Sequence, residues 1–262
     1  MSSTIITLTT DFGVSSPYVA AMKGVMLAIN PALQIVDITH AIPPQQIALG
    51  AMALADTTLL FPAGTIHIAV VDPGVGSSRA IIYAEIAEQR FVCPDNGLLS
   101  RLADRQPPTK IIHITAEQYF RQPVAPTFHG RDIMAPVAAR LSLGLDPDQL
   151  GPAHLELQKL AWPGATRMAN RIEGKVVAVD SFGNLITDIT RDMLADVPTD
   201  ESVTVRCDEH ETQCIFKTYA DQPPMTLVAL IGSNDQLEIA IVDDSAKIML
   251  GVGVGAPVEV CW

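Results

Sequence analysis

Residues 67–79 read HIAVVDPGVGSSR, and the organisation of the 262-residue chain follows from them. Residues 66–71 are a short, β-branched, apolar run of the length of a buried strand. The run stops at Asp72-Pro73-Gly74, a strong turn signal, followed by Gly76 and Arg79. A carboxylate therefore stands where a buried strand ends. In open α/β sheets ligands bind at the C-terminal ends of the strands, so this turn is a candidate site as well as a connection.

Working outward, the same pattern recurs. Residues 4–10 (TIITLTT) predict a strand that ends in Asp11-Phe12-Gly13, and residues 34–38 predict another before Thr39-His40. Apolar spacing predicts helices over 18–29 and 46–61, the first stopped at Asn30-Pro31 and the second at Pro62-Ala63-Gly64. Downstream, strands are expected over 80–86, 90–93 and 110–115. A short helix is expected from Leu98, after the turn Pro94-Asp95-Asn96-Gly97. Phe128-His129-Gly130-Arg131-Asp132 leads into a helix over 133–143, with Pro136 in its first turn, where proline is tolerated. Strands alternating with helices predict a mostly parallel, helix-covered sheet over residues 1–155. Met22 and Met26 lie at helical spacing and read as core.

Pro152, Pro163 and Gly164 mark a linker, placed at 156–168. Beyond it the pattern changes. Short strands follow one another with turns between: RIEGKVVAVD, LITDI, SVTVRCD, CIFKTYAD, TLVALIG, QLEIAIVD and PVEVCW. Residues 169–262 are expected to form a smaller all-β, barrel-like domain.

Composition narrows the function. Nearly half of the residues are apolar and the mean hydropathy is positive, as in a globular chain with a sizeable core. A formal charge of −12 without a Lys/Arg cluster argues against nucleic-acid binding. Cys93, Cys207, Cys214 and Cys261 show no metal-site spacing and read as reduced thiols, Cys207 and Cys214 being candidate cross-strand neighbours. No membrane span and no signal peptide are read, and a cytoplasmic location is expected.

Seven motifs in order carry a resemblance: Thr9 to Gly13 (TTDFG), Asp37 to His40 (DITH), Val71 to Gly76 with Arg79, Pro94 to Leu98 (PDNGL), Phe128 to Asp132 (FHGRD), Asp180 to Asn184 (DSFGN) and Ser233 to Ala240 (SNDQLEIA). With them the chain resembles the adenosine-forming S-adenosylmethionine (SAM) hydrolases, or SAM hydroxide adenosyltransferases, relatives of the fluorinases and chlorinases. The resemblance runs from about residue 4 to the C-terminus. It implies an N-terminal α/β domain, a C-terminal barrel-like domain and the reaction of SAM with water to give adenosine and methionine. It implies neither metal nor other cofactor. It also implies a homotrimer, with substrate between the N-terminal domain of one subunit and the C-terminal domain of the next.

By the same resemblance Asp72, Arg79 and His129 are the catalytic triad and Asp11 holds the ribose. Asp180, Asn184, Ser233 and Glu238 hold the nucleoside and amino-acid parts, Phe182 walls the adenine, and Ile241 acts through its backbone. The halogenating relatives carry tyrosine, threonine and serine where this chain has Asp72, Val75 and Gly130. A carboxylate at 72 would repel halide and accept hydrogen bonds from water, which points to the water-using branch. Asp72 and His129 are expected to accept hydrogen bonds from that water, with Arg79 pairing Asp72.

The residues also admit blander readings. Asp95 is either a turn former or a site wall, and Asn184 either a hairpin residue or a ligand contact. His40 reads as a structural hydrogen-bonding histidine, His67 and His113 as core or edge residues, and His154 and His210 as loop residues. The alternative functions are a SAM-dependent halogenase and a nucleoside-binding protein without turnover. No phosphate-cradling loop and no nucleophile elbow are found.

Overall fold

A computed structural model describes residues 4–162 and 164–262. Pro163, one of the linker markers, lies outside the described residues. The chain divides into two compact units, residues 1–160 and 161–262.

Among the described residues the first unit is built on six strands: β1 (Ile5–Thr10), β2 (Gln34–Thr39), β3 (Ile66–Val70), β4 (Ile81–Ile86), β5 (Gln89–Pro94) and β6 (Lys110–His113). They lie in the order β2-β1-β3-β5-β4-β6. The pairs β1–β2, β1–β3 and β3–β5 are parallel, while β4 pairs antiparallel with both β5 and β6. β4 is thus the strand that runs against the rest. The reason is local: only Ala87 and Glu88 join it to β5, both in the left-handed region (φ 51° and 65°), which makes a hairpin and leaves no room for a crossover.

The helices α1 (Tyr18–Ile29), α2 (Ile47–Thr57), α3 (Ser100–Arg105) and α4 (Ala135–Leu141) cover the sheet. Met22 and Met26 of α1 join α4, Ile6, Leu8 and Ile68 in one core cluster. Leu54 and Ala55 of α2 join Leu102 of α3, Ala69 and Phe91 in another. With apolar cores on both faces, β3 is buried at every residue, which is why it reads as an unbroken run and not an alternating one. The helix expected over 133–143 is shorter and begins differently. Gly130–Met134 forms a π-helical turn, and the α-helix proper starts at Ala135. Residues 153–160 run as an extended strap over this unit. Ala153 bridges Ile112, and the Gln158 and Leu160 amides donate to Asp95 and Ser100.

Among the described residues the second unit has eight strands: β7 (Thr166–Arg167), β8 (Arg171–Val179), β9 (Leu185–Thr190), β10 (Thr204–Cys207), β11 (His210–Gln213), β12 (Leu227–Ile231), β13 (Gln236–Ile241) and β14 (Pro257–Cys261). The order is β11-β10-β14-β8-β9-β13-β12, every neighbouring pair antiparallel, with β7 paired to β8. The sheet curls until its two edges meet. Thr212 Oγ1 on β11 donates to the Leu227 carbonyl on β12 at 2.9 Å, which gives a nearly closed barrel. Ile172, Val205, Leu237, Ile239 and Val260 fill it.

Two expectations change in this unit. CIFKTYAD is not a strand. The Asp221 carboxylate accepts the Lys217 and Thr218 amides and draws the chain into a 3-10 turn, leaving one bridge between Phe216 and Leu230. The strand expected there is His210–Gln213 instead, so His210 is a strand residue. In its register Cys207 faces His210, not Cys214, and all four cysteines are free thiols. No helix among the described residues is long and apolar enough to cross a membrane.

Candidate active site

Sheet topology places the first half of the site. The connection from β1 leads to β2 on one side, and the next crossover returns to β3 on the other. The loops after β1 and β3 therefore diverge, and a crevice opens between their C-terminal ends. Thr10 and Val70 are paired in register, so Asp11 and Asp72 leave the sheet side by side. Both line a cleft of about 310 Å³, with Gln45, Val75, Phe128 and His129.

Three of the expected residues converge here. Arg79 Nε donates to both oxygens of Asp72 at 3.0 Å, and Arg79 Nη2 donates to Asp72 Oδ2. The pair is well shielded, the Asp72 side chain being 4% exposed and that of Arg79 11%. Arg79 Nη2 also lies 3.0 Å from His129 Nδ1. A guanidinium has only donors, so Nδ1 must accept. Burial, reinforced by the Arg79 charge, lowers the His129 pKa and keeps the ring neutral. Its hydrogen then resides on Nε2, and the free side of the ring is a donor. This corrects the expectation that His129 accepts a hydrogen bond from water. Asp72 accepts from Arg79 through both carboxylate oxygens.

The loops that carry the triad are locked together. Gly76 has φ +79°, and a Cβ there would stand 2.7 Å from the Pro126 carbonyl oxygen, so only glycine lets the two loops touch. Asn96 Nδ2 donates to the Val71 carbonyl at 2.8 Å and fixes the residue before Asp72. Asp11 Oδ2 accepts the Gln45 amide at 2.8 Å, and Gln45 holds a left-handed backbone (φ 66°) to give it. Neither Asn96 nor Gln45 stands out as a site residue in the sequence. PDNG reads as a turn, and nothing after Pro43-Pro44 signals a left-handed residue.

The other expected residues gather in the second unit. Asp180, Phe182, Asn184, Ser233, Glu238 and Ile241 all line one pocket of about 860 Å³. Asp180 is spent largely on its own turn: Oδ1 accepts the Phe182 and Asn184 amides, and Oδ2 accepts Asn184 Nδ2 at 3.0 Å. Gly183 closes that turn at φ +89°. The arrangement presents Phe182, 77% exposed, and leaves Asn184 Oδ1 and one Nδ2 hydrogen for a ligand. Ser233 is exposed, and the Ile241 carbonyl accepts the Asp244 amide. Glu238 is 6% exposed and accepts the Tyr219 hydroxyl. Burial raises its pKa, nearby Asp180 raises it further, and the Tyr219 hydrogen bond opposes them. Tyr219 escaped the sequence reading because its segment looks like a strand. Asp243, Asp244 and Lys217 complete a mainly acidic lining.

The remaining histidines are structural. His40 Nδ1 pairs with Thr10 Oγ1 at 2.9 Å, and His67 lies buried between Thr7 and Gln89. His154, read as a loop residue, pairs with buried Asp95 at 2.9 Å and fastens the strap.

Comparison with known proteins shows the family of the chain. Residues 6–151 match the model of the SAM hydroxide adenosyltransferase N-terminal domain, and residues 174–259 that of the C-terminal domain. The chain is 35% identical to the (R)-S-adenosyl-L-methionine hydrolase of Salinispora tropica, with 95% of both chains covered. It is 36% identical to the protein of the same name from Thermus thermophilus, covering 95% of this chain and 96% of that one. A fluorinase from an Actinoplanes species is more distant, 25% identical, with 71% of this chain and 72% of that one covered. The crystal structure of an uncharacterized conserved protein from Thermotoga maritima superimposes with a TM-score of 0.93 at 35% identity, over 98% of this chain and all of that one. The chain belongs to the SAM hydroxide adenosyltransferase family.

Proposed function

We propose that the protein hydrolyses SAM by attack of water at the ribose C5′, releasing adenosine and L-methionine. The observation that carries the reading is the hydrogen-bonded Asp72–Arg79–His129 set, whose Asp72 and His129 line the cleft at the topological switch point. The sulfonium is already a good leaving group and departs as neutral methionine. The barrier lies in presenting a poorly nucleophilic water in line and stripping it of solvent.

A water in the cleft can be held tetrahedrally. One O–H donates to the Asp72 carboxylate, His129 Nε2–H donates into one lone pair, and the second lone pair is left for C5′. As the C–O bond forms and the C–S bond breaks, the oxonium proton passes to Asp72 and then to solvent. General-base help of this kind contributes about 10²–10⁴-fold. Asp11 is assigned to the ribose diol.

In the second unit Asn184 has the acceptor and donor that the N6 and N7 edge of adenine requires. Phe182 offers a ring face, and Glu238 with its acidic neighbours suits a cationic substrate. Asp180, Ser233 and the Ile241 backbone are assigned to the same ligand. We assign both sets to one SAM molecule, held between neighbouring subunits of a homotrimer in the cytoplasm. Four free thiols suit a reducing compartment. The relatives' names specify the (R) epimer, which we take as the substrate.

Incubation with SAM in isotope-labelled water, followed by chromatography, tests the reading. Adenosine carrying the label at its 5′-oxygen is expected. Bound adenosine without methionine release would make the protein a binding module, and a 5′-halo-nucleoside formed with chloride or fluoride would make it a halogenase. At SAM concentrations well below the raised KM of Asn184→Ala, mixing Asp72→Ala with Asn184→Ala subunits should give more activity than either variant alone if the site is shared between copies.

A further inference from the structure

We propose that Asp132, which lies outside the cleft, is the positioning residue for His129 and for the Phe128 wall beside it. The inference rests on the hydrolase reading for its kinetic consequence but not for its structural one.

Asp132 is completely buried, and its carboxylate accepts four hydrogen bonds. Arg131 Nε donates to Oδ1 at 2.8 Å and Arg131 Nη2 to Oδ2 at 2.7 Å. Arg121 Nη1 donates to Oδ1 at 3.0 Å and the Ala125 amide to Oδ2 at 2.9 Å. The Arg121 amide donates to the Asp132 carbonyl at 2.8 Å. One carboxylate thus ties the segment 121–125 to the π-helical turn Gly130–Met134, in the middle of which it sits.

That placement has two consequences in the cleft. His129 is the residue that enters the π-turn, so the turn sets the direction of its ring. A π-turn is rare and occurs frequently at functional sites, and the Asp132 bonds tie this one to the segment 121–125. The second consequence runs through Arg131. Held by Asp132, its guanidinium lies 4.8 Å from the Phe128 ring centroid. Phe128 lines the cleft and meets Phe12 and Tyr18 edge-on, at 5.8 and 5.3 Å. Charge alone would predict something else. Asp132 favours the protonated form of His129, so its loss would leave an already neutral ring neutral and cost nothing at neutral pH.

Asp132→Asn and Arg131→Met separate these possibilities. Arg131 is partly exposed, so Arg131→Met is expected to fold even if the buried substitution does not. Each variant is checked for cooperative thermal unfolding, then for kcat and KM with SAM. The ring nitrogen resonances of His129 are read in histidine-labelled protein without substrate, assigned against His129→Gln among the six histidines. Positioning predicts a kcat loss approaching about 10²-fold for Asp132→Asn and about tenfold for Arg131→Met. KM should move less than about threefold, and the Nδ1-acceptor signature should be lost or averaged. A folded Asp132→Asn, or Arg131→Met if that variant alone folds, with wild-type kcat and wild-type His129 resonances would overturn the proposal. So would a loss confined to KM. If the wild-type protein fails to consume SAM, the hydrolase reading falls while the ring resonances still decide the positioning.

Discussion

The cleft of the first unit and the pocket of the second are built on opposite plans. The cleft is small, formed where parallel strands end, and its charged side chains are committed to one another: Asp72 to Arg79, Arg79 to His129, Asp11 to the Gln45 amide. The pocket is nearly three times larger, lies on turns and strand ends of a barrel, and keeps exposed or half-satisfied groups such as Phe182, Asn184 and Ser233. Preorganised, mutually bonded groups suit chemistry, because they need not reorganise when charge moves. Open groups with spare donors and acceptors suit recognition, because the ligand completes them. On the proposed function, the contrast gives turnover to the first region and affinity to the second.

The strongest way to break that assignment is at Asp72. Asp72→Ala should lower kcat by about 10²–10⁴-fold while SAM affinity, measured by calorimetry, changes less than about threefold. Arg79→Ala should come close to it, since it leaves Asp72 buried without its cation and frees the His129 tautomer. Loss of affinity in place of turnover would reverse the roles of the two regions.

Asn184→Ala is the mirror experiment. One good bidentate contact to an adenine edge discriminates by about 1–3 kcal/mol. KM for SAM should therefore rise by about 5- to 150-fold, with saturated kcat nearly unchanged. A variant with normal KM would remove Asn184 from the ligand and leave it as a hairpin residue.

These roles were unequally legible in the sequence. The α/β half and the β half follow from the alternation of apolar runs and turn signals, whereas the grouping of Asp72, Arg79 and His129 comes from the resemblance carried by seven motifs in order. What escaped depends on partners distant in the chain. The hydrogen-bonding direction of His129 is set by a guanidinium fifty residues away. The π-turn at Gly130 is invisible beside a sequence that continues as an ordinary helix. CIFKTYAD alternates like a strand, but Asp221 captures two amides within it and turns the chain instead. Asp180 reads as a ligand residue, yet its oxygens chiefly hold the turn that displays Phe182 and Asn184.

A smaller effect is expected at Glu238, and it carries a pH signature. Its raised pKa means that acid neutralises it earlier than an ordinary carboxylate. Attraction for a cationic substrate is present above that pKa and is lost as pH falls through it. KM should rise on acidification, beginning above the usual glutamate range, and Glu238→Gln should abolish the dependence while raising KM by about tenfold. A Glu238→Gln variant that keeps the wild-type pH profile would show that the pocket does not use this charge.

The smallest effect tests the frame beneath the cleft. His67 lies within β3, the strand that delivers Asp72, and burial pushes its pKa down to about 4. In the unfolded chain it titrates near 6.5, so between these values the unfolded state holds a proton that the folded state lacks. Its contribution to stability is therefore complete above pH 6.5. It declines by about 1.4 kcal/mol per pH unit as pH falls toward 4. His67→Gln removes the titrating group, so its unfolding free energy should fall less steeply with acid than that of the wild type, whatever its absolute value. Denaturant titrations at a series of pH values measure the two slopes. Equal slopes would mean that β3 tolerates a charge at its second residue.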